Sequence, residues 1–236
     1  MRSRGEASFT NLPNFAAKLY DHLTRTPSLQ TQVEEIALDL AARIGDFGRL
    51  LDVGSGPGWL LLKLHRLNPT LALYGLDIAG SMVDVARQNL AGLHVDLRQG
   101  SIRATNYDPA FFDLITCTGS FYLWDQPVDC LEEIYRLLKP DCSAYLYETH
   151  RDFQPQEFQQ ALRLNLRAEG PLRRLLLPFI LKKQLKMTYC PAEIVHLLEQ
   201  TRFAPHYSLD KITLTGLPIW LRLRLTRPAH SLTQTP

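Results

Sequence analysis

Between residues 50 and 150 the apolar positions switch between short runs, of the kind a buried strand makes, and stripes with a period near 3.6. Runs over 50–53, 71–77, 93–100, 111–119 and 143–148 predict five strands. Stripes over 59–67, 82–90 and 127–140 predict helices among them, the last with Val128, Leu131, Ile134, Leu137 and Leu138 inward and a stop at Pro140. Strands interleaved with helices in this way make an α/β sheet. Two more helices, 15–21 and 29–44, come before the first strand, and the second carries Val33, Ile36, Ala37, Leu40, Ala41 and Ile44 on one face. A helix over 191–200 and strands over 208–214 and 219–225 follow. Residues 155–190 do not look like sheet. There, leucines, Phe179 and Ile180 interleave with seven basic residues (Arg163, Arg167, Arg173, Arg174, Lys182, Lys183, Lys186) against one acid, Glu169, in an amphipathic basic segment broken at Pro178.

The first strand runs straight into glycines: Leu50, Leu51, Asp52 and Val53 lead to Gly54, Ser55, Gly56, Pro57 and Gly58, and a helix starts at Trp59. Gly54 and Gly56 allow a left-handed backbone and a close ligand. Backbone N–H groups and the helix start then present positive partial charge to an anionic group, as in nucleotide cradles. The spacing is Gly-x-Gly-x-Gly, unlike the dinucleotide fingerprint, and Pro57 lacks a donor that a pyrophosphate would use. Asp52 would repel a pyrophosphate and attract an ammonium, so the expected ligand is zwitterionic. A second acid, Asp77, ends the second strand at the sheet edge where open α/β folds bind ligands, and can accept both hydroxyls of a ribose.

This stretch closely resembles the first motif of the class I S-adenosylmethionine-dependent methyltransferases. Phe112-Asp113 at the head of the fourth strand, and Glu133-Ile134 through Lys139-Pro140, are similar to later family segments, though Asp141-Cys142 stands where two glycines are usual. The resemblance is continuous over about 48–150 and weaker over 188–226. It implies a Rossmann-like seven-stranded sheet with helices on both faces, an antiparallel last strand, and S-adenosyl-L-methionine as cofactor. It further implies cofactor contacts from Asp52, Gly54, Ser55, Gly56, Gly58, Asp77, Ile78, Met82, Ser101, Ile102, Thr118 and Gly119, with Tyr20 on an N-terminal lid. Ser101 replaces the usual adenine-binding Asp, and Met82 reads equally as core. Phe121 and Tyr122 lie where the family sets methyl against acceptor, and offer either an aromatic wall to a sulfonium cation or core packing; Trp124 reads as packing. His150, just past the fifth strand, is a candidate general base or a loop histidine, with Tyr122 the other catalytic candidate. Phe179 is a candidate substrate contact.

One domain of 236 residues is expected: a helical cap over 1–45, a cofactor-binding half over 46–154, a helical lid over 155–190, a closing helix and strands over 191–228, and a polar tail over 229–236. Hydrophobic residues at 45% and charged ones at 21% exclude a disordered chain. No apolar run is long enough to span a bilayer, no export signal is visible, and Cys117, Cys130, Cys142 and Cys190 are too scattered for a metal site or disulfide framework. A cytoplasmic protein is expected. Residues 1–150 hold 13 Lys and Arg against 18 Asp and Glu, a net −5, whereas 151–236 hold 13 against 6, a net +7. That basic half leaves three readings of 163–187: a solvated lid, a cover over an apolar substrate, or peripheral contact with a membrane surface. Nucleic acid is not expected, since no recognition motif accompanies the charge. The function expected is methyl transfer to a small, largely apolar molecule, as in quinone-biosynthesis-like members. Methylation of lipids at a membrane, and cofactor binding without turnover, are the alternatives.

Overall fold

A computed structural model describes residues 10–167 and 169–229, so the tail expected over 229–236 lies, past residue 229, outside the described residues. The elements are α1 (Asn14–Thr24), α2 (Pro27–Ala41), β1 (Arg49–Val53), α3 (Trp59–Leu67), β2 (Ala72–Asp77), α4 (Gly80–Asn89), β3 (Val95–Gln99) and β4 (Phe112–Thr118). A 3-10 turn (Phe121–Leu123) then leads to α5 (Pro127–Leu137), β5 (Leu138–Thr149), α6 (Pro155–Arg167), α7 (Pro171–Met187), α8 (Pro191–Leu198), β6 (Tyr207–Leu214) and β7 (Leu217–Thr226). Five of these helices, α2, α5, α6, α7 and α8, open on a proline. A proline costs nothing there, because its missing N–H falls among the donors that a first turn leaves unpaired.

The strands form one sheet in the order β3-β2-β1-β4-β5-β7-β6. β1 to β5 run parallel, while β7 is antiparallel to both β5 and β6. β1 is central and buried along Leu50, Leu51, Asp52 and Val53. Val53 is level with Leu76 of β2 and Cys117 of β4, so three strand ends meet at the point where the chain order reverses. One core lies between the sheet and α5 and α8, around Leu131, Ile134, Leu198 and Phe203. The other lies under α2, α3, α6 and α7, around Ile36, Leu61, Leu162 and Leu185.

Two expectations need correction. The helix predicted over 127–140 ends at Leu137, and Leu138 already pairs with Phe112 as the start of β5. Packing of the strand outweighs the helical stripe there, and Pro140 is tolerated near the strand's start. Asp141 takes the left-handed backbone of one missing glycine, with φ +61°, and its N–H bonds the Arg227 carbonyl at 2.8 Å. The basic segment does not break at Pro178 either. α7 continues through that proline, and the break falls between Arg167 and Pro171. α7 turns Leu177, Leu181, Gln184, Leu185 and Thr188 inward at helical spacing, and this buried stripe holds the helix on the core despite the lost donor.

Candidate active site

The cradle is held from the side of β2. The N–H groups of Gly54 and Ser55 both bond the Leu76 carbonyl, at 2.8 and 3.1 Å. Gly54 has φ +71°, and a Cβ there would sit 2.3 Å from the Ser120 hydroxyl. Gly56 has φ +50° with open space around a Cβ position, which is what a loop needs if a ligand is to lie against its backbone. The Gly56 N–H donates to Asp77 Oδ2 at 2.8 Å and the Ala79 N–H to Oδ1 at 2.9 Å, so one carboxylate ties the glycine loop to the start of α4. Burial raises the Asp77 carboxyl above its usual range, against the pull of these two donors.

Above these strand ends lies a cavity of about 280 Å³. Of the residues singled out in the sequence, its wall contains Gly54, Gly56, Asp77, Ile78, Met82, Ser101, Ile102, Thr118, Gly119, Tyr20 and Tyr122. Tyr20 comes from α1, which lies across the mouth and adds Ala16, while Leu12 just before it is bonded through its carbonyl by the Ser81 hydroxyl at 2.7 Å. Met82 serves as core and wall at once, packing with Ala17, Ala79 and Val85. Trp124, read as packing, also faces the cavity while stacking edge-on against Phe121.

Six candidates are not in that wall. Asp52 is 2% exposed, accepts no hydrogen bond from any described residue, and is pushed up to about 7 by burial and then by the charge of Asp77. Ser55 and Gly58 shape the turn from behind, where a Cβ on Gly58 would meet Leu90. Phe121 is core, fully buried against Trp124 and Tyr189. Phe179 stands 69% exposed on the outer side of α7, because that helix spends its buried stripe on Leu181 and Leu185. His150 is neither in the wall nor a surface histidine. It is 1% exposed near Phe153, both ring nitrogens lack a partner, and burial lowers its imidazole, with the Lys211 charge adding to this. No described residue of the expected lid lines the cavity; α1 occupies that place.

The sequence places Glu148 at the fifth strand's edge near the site but gives it no role. This carboxyl, 2% exposed at the end of β5, accepts the Phe121 N–H at 2.7 Å and so holds the turn that carries Tyr122. Burial pushes it up to about 8, and its Oε2 has no partner. An acid directly after the apolar and aromatic run 144–147 was the available signal.

The reversed β7, the glycine turn at the switch point and an acid closing β2 are features the chain shares with class I S-adenosylmethionine-dependent methyltransferases. Residues 50–141 match the methyltransferase domain family. It is 28% identical over 108 residues to the uncharacterized methyltransferase YdaC of Bacillus subtilis, covering 46% of this chain and 57% of that protein. It is 30% identical over 144 residues to the demethylmenaquinone methyltransferase of Lactobacillus johnsonii, covering 58% of each. The chain thus spans under three-fifths of these curated relatives. A crystal structure of a SAM dependent methyltransferase from Aquifex aeolicus has the same fold, with TM-score 0.64 at 17% identity over 91% of this chain and 99% of that one.

S-adenosylmethionine is the cofactor of this class, and the residues present fit it. Asp77 has lone pairs left for a ribose diol, Ile78, Met82 and Ile102 give apolar surface for a base, and Gly56 leaves its side open. Asp52 is a buried carboxyl near the cradle with no hydrogen-bond partner among the described residues, which suits an ammonium. Among the described residues no helix is long and apolar enough to cross a membrane.

Proposed function

We propose that the protein transfers the methyl group of S-adenosylmethionine to a small, largely apolar acceptor. The supporting observation is the make-up of this cavity's wall, which combines Gly56 and Asp77 with the rings of Tyr20, Tyr122 and Trp124. The bound cofactor would supply a methyl group on a sulfonium, already activated for in-line displacement. The chain's own work is then to hold, align and keep dry. Asp77 and the glycine loop hold the nucleoside, and the Asp52 carboxyl, buried behind the loop, favours an ammonium at the amino-acid end. Tyr20, Tyr122 and Trp124 give π faces that attract a cation by about 0.5–2 kcal/mol and favour a flat apolar acceptor over water. Burial, then the charge of Glu148, raises the Tyr122 phenol well above its ordinary value, so Tyr122 is a hydrogen-bond donor rather than a base. With His150 outside the wall, the reading assigns catalysis to positioning. A relative named for demethylmenaquinone methylation supports an acceptor with an apolar ring.

Calorimetry with S-adenosylhomocysteine and NAD tests the cofactor, followed by methyl transfer from labelled S-adenosylmethionine to a panel of apolar phenols and quinols. NAD binding tighter than S-adenosylhomocysteine would sink the reading. Transfer only to polar amines or to nucleic acid would sink the acceptor class. Tyr122→Phe should lower turnover without changing its pH profile, since the phenol does not titrate in the neutral range.

A further inference from the structure

The outer side of α7 is unusual for a solvated helix. Leu175, Phe179, Lys182 and Lys186 recur at i, i+4, i+7 and i+11, so they form one stripe, opposite the buried one, that runs about 16 Å. Leu175 is 64% exposed and Phe179 69%, with Ile180 and Met187 exposed beside them. Lys183 flanks the stripe and Arg163 and Arg167 are exposed on α6, while the nearby Arg174 guanidinium donates to the carbonyls of Leu166, Arg167 and Glu169. Among the described residues none of these six cations forms an ion pair with a carboxylate, whereas Arg202, Lys139 and Arg222 elsewhere all do. Glu169, the acid in the α6–α7 turn, is buried and accepts the Ser28 hydroxyl. That bond sets the turn against the start of α2, three residues past the end of α1, and so beside the helix that crosses the cavity mouth.

From this face we infer a docking site for an anionic lipid bilayer. Large apolar side chains among unneutralised cations match the two layers of such a surface: Leu175, Phe179 and Ile180 enter the acyl boundary while the lysines and arginines meet headgroup phosphates. The Pro178 interruption that would have argued against it is absent, because α7 passes through that residue. The docking site stands on this face alone and does not depend on the reading of the cavity. If both hold, an apolar acceptor would reach α1 directly from the membrane.

The full chain is floated with vesicles of phosphatidylcholine alone, and with phosphatidylglycerol added, at low and at high salt. Two variants accompany it: Leu175→Ser with Phe179→Ser, and Lys182→Glu with Lys186→Glu. All four side chains are exposed, and S-adenosylhomocysteine affinity in each preparation reports separately on the cradle. Binding to the anionic vesicles at low salt, falling at high salt, is expected, with each double variant at least about tenfold weaker. Absence of flotation at low salt overturns the proposal. So does flotation that the serine pair leaves unchanged, which would be charge attraction without insertion. A concentration-dependent dimer in light scattering that the serine pair abolishes would assign the face to a second copy of the chain and overturn it as well.

Discussion

Asp52 and Glu148 are carboxyls near the ends of β1 and β5, on either side of β4, and burial raises them to about 7 and about 8. Each is protonated in the fold at a pH where the unfolded chain has already ionised. Their stabilising contribution is therefore complete below the unfolded values near 4, and is lost as pH rises through the folded ones. His150 adds a slope of opposite sign, because its lowered imidazole must be charged as pH falls below its unfolded value. Asp52→Asn and Glu148→Gln stay neutral throughout, so each variant should gain stability relative to the parent between about pH 5.5 and about pH 9, by roughly 2 kcal/mol for the first and roughly 3 kcal/mol for the second. Urea midpoints at the two pH values measure it. An equal difference at both would mean that these carboxyls do not titrate as their burial requires. For the cradle, Asp77→Ala and Gly56→Ala should each weaken S-adenosylhomocysteine binding by about 1–3 kcal/mol, the first by losing an acceptor and the second by placing a methyl group where the ligand lies. Calorimetry reads both, and an unchanged affinity in both would move the site elsewhere.

At the scale of elements, α1 is a lightly held cover. It buries only Ala17 and Asp21, and polar bonds do much of the fastening. The Asn89 amide donates to Asp21 at 2.9 Å and to the Pro57 carbonyl at 3.0 Å, joining α1, the end of α4 and the glycine loop. Trp59 adds a bond to the Thr24 hydroxyl at 3.2 Å. Asn89→Ala should then speed cofactor dissociation about five- to tenfold, at about 1 kcal/mol per bond, while the melting temperature moves little. Stopped-flow displacement measures this, and an unchanged rate would mean that α1 does not gate release. α7 offers an opposite case, since Pro178 leaves the Arg174 carbonyl without its helical donor. Pro178→Ala should raise stability by about 1–3 kcal/mol in thermal unfolding. Proline signals were legible at helix starts but not inside α7, because whether a helix survives a proline depends on the core beneath it.

For the whole molecule, the cavity wall gathers residues from five segments of the chain, so cofactor binding should couple to global unfolding. At a hundredfold excess over its dissociation constant, S-adenosylhomocysteine should add about 2.7 kcal/mol, a rise of roughly 5–10 °C in melting temperature. The same measurement on Asp77→Ala should show a smaller rise. What the sequence by itself determined were local properties: the buried runs that became β1, β2 and β4, the glycine turn after Val53, and Asp77 and Tyr122 at strand ends. A strand end and a glycine turn are specified by neighbouring residues, so their chemistry can be read in one dimension. Only the tertiary structure decided which face each side chain of the other segments took. Phe121 went to the core and Trp124 to core and cavity together, His150 was closed off, Glu148 came under the Phe121 turn, and α1 rather than 155–190 covered the site. Those outcomes depend on packing between elements far apart in the chain, where burial of one stripe on α7 necessarily turns Phe179 outward.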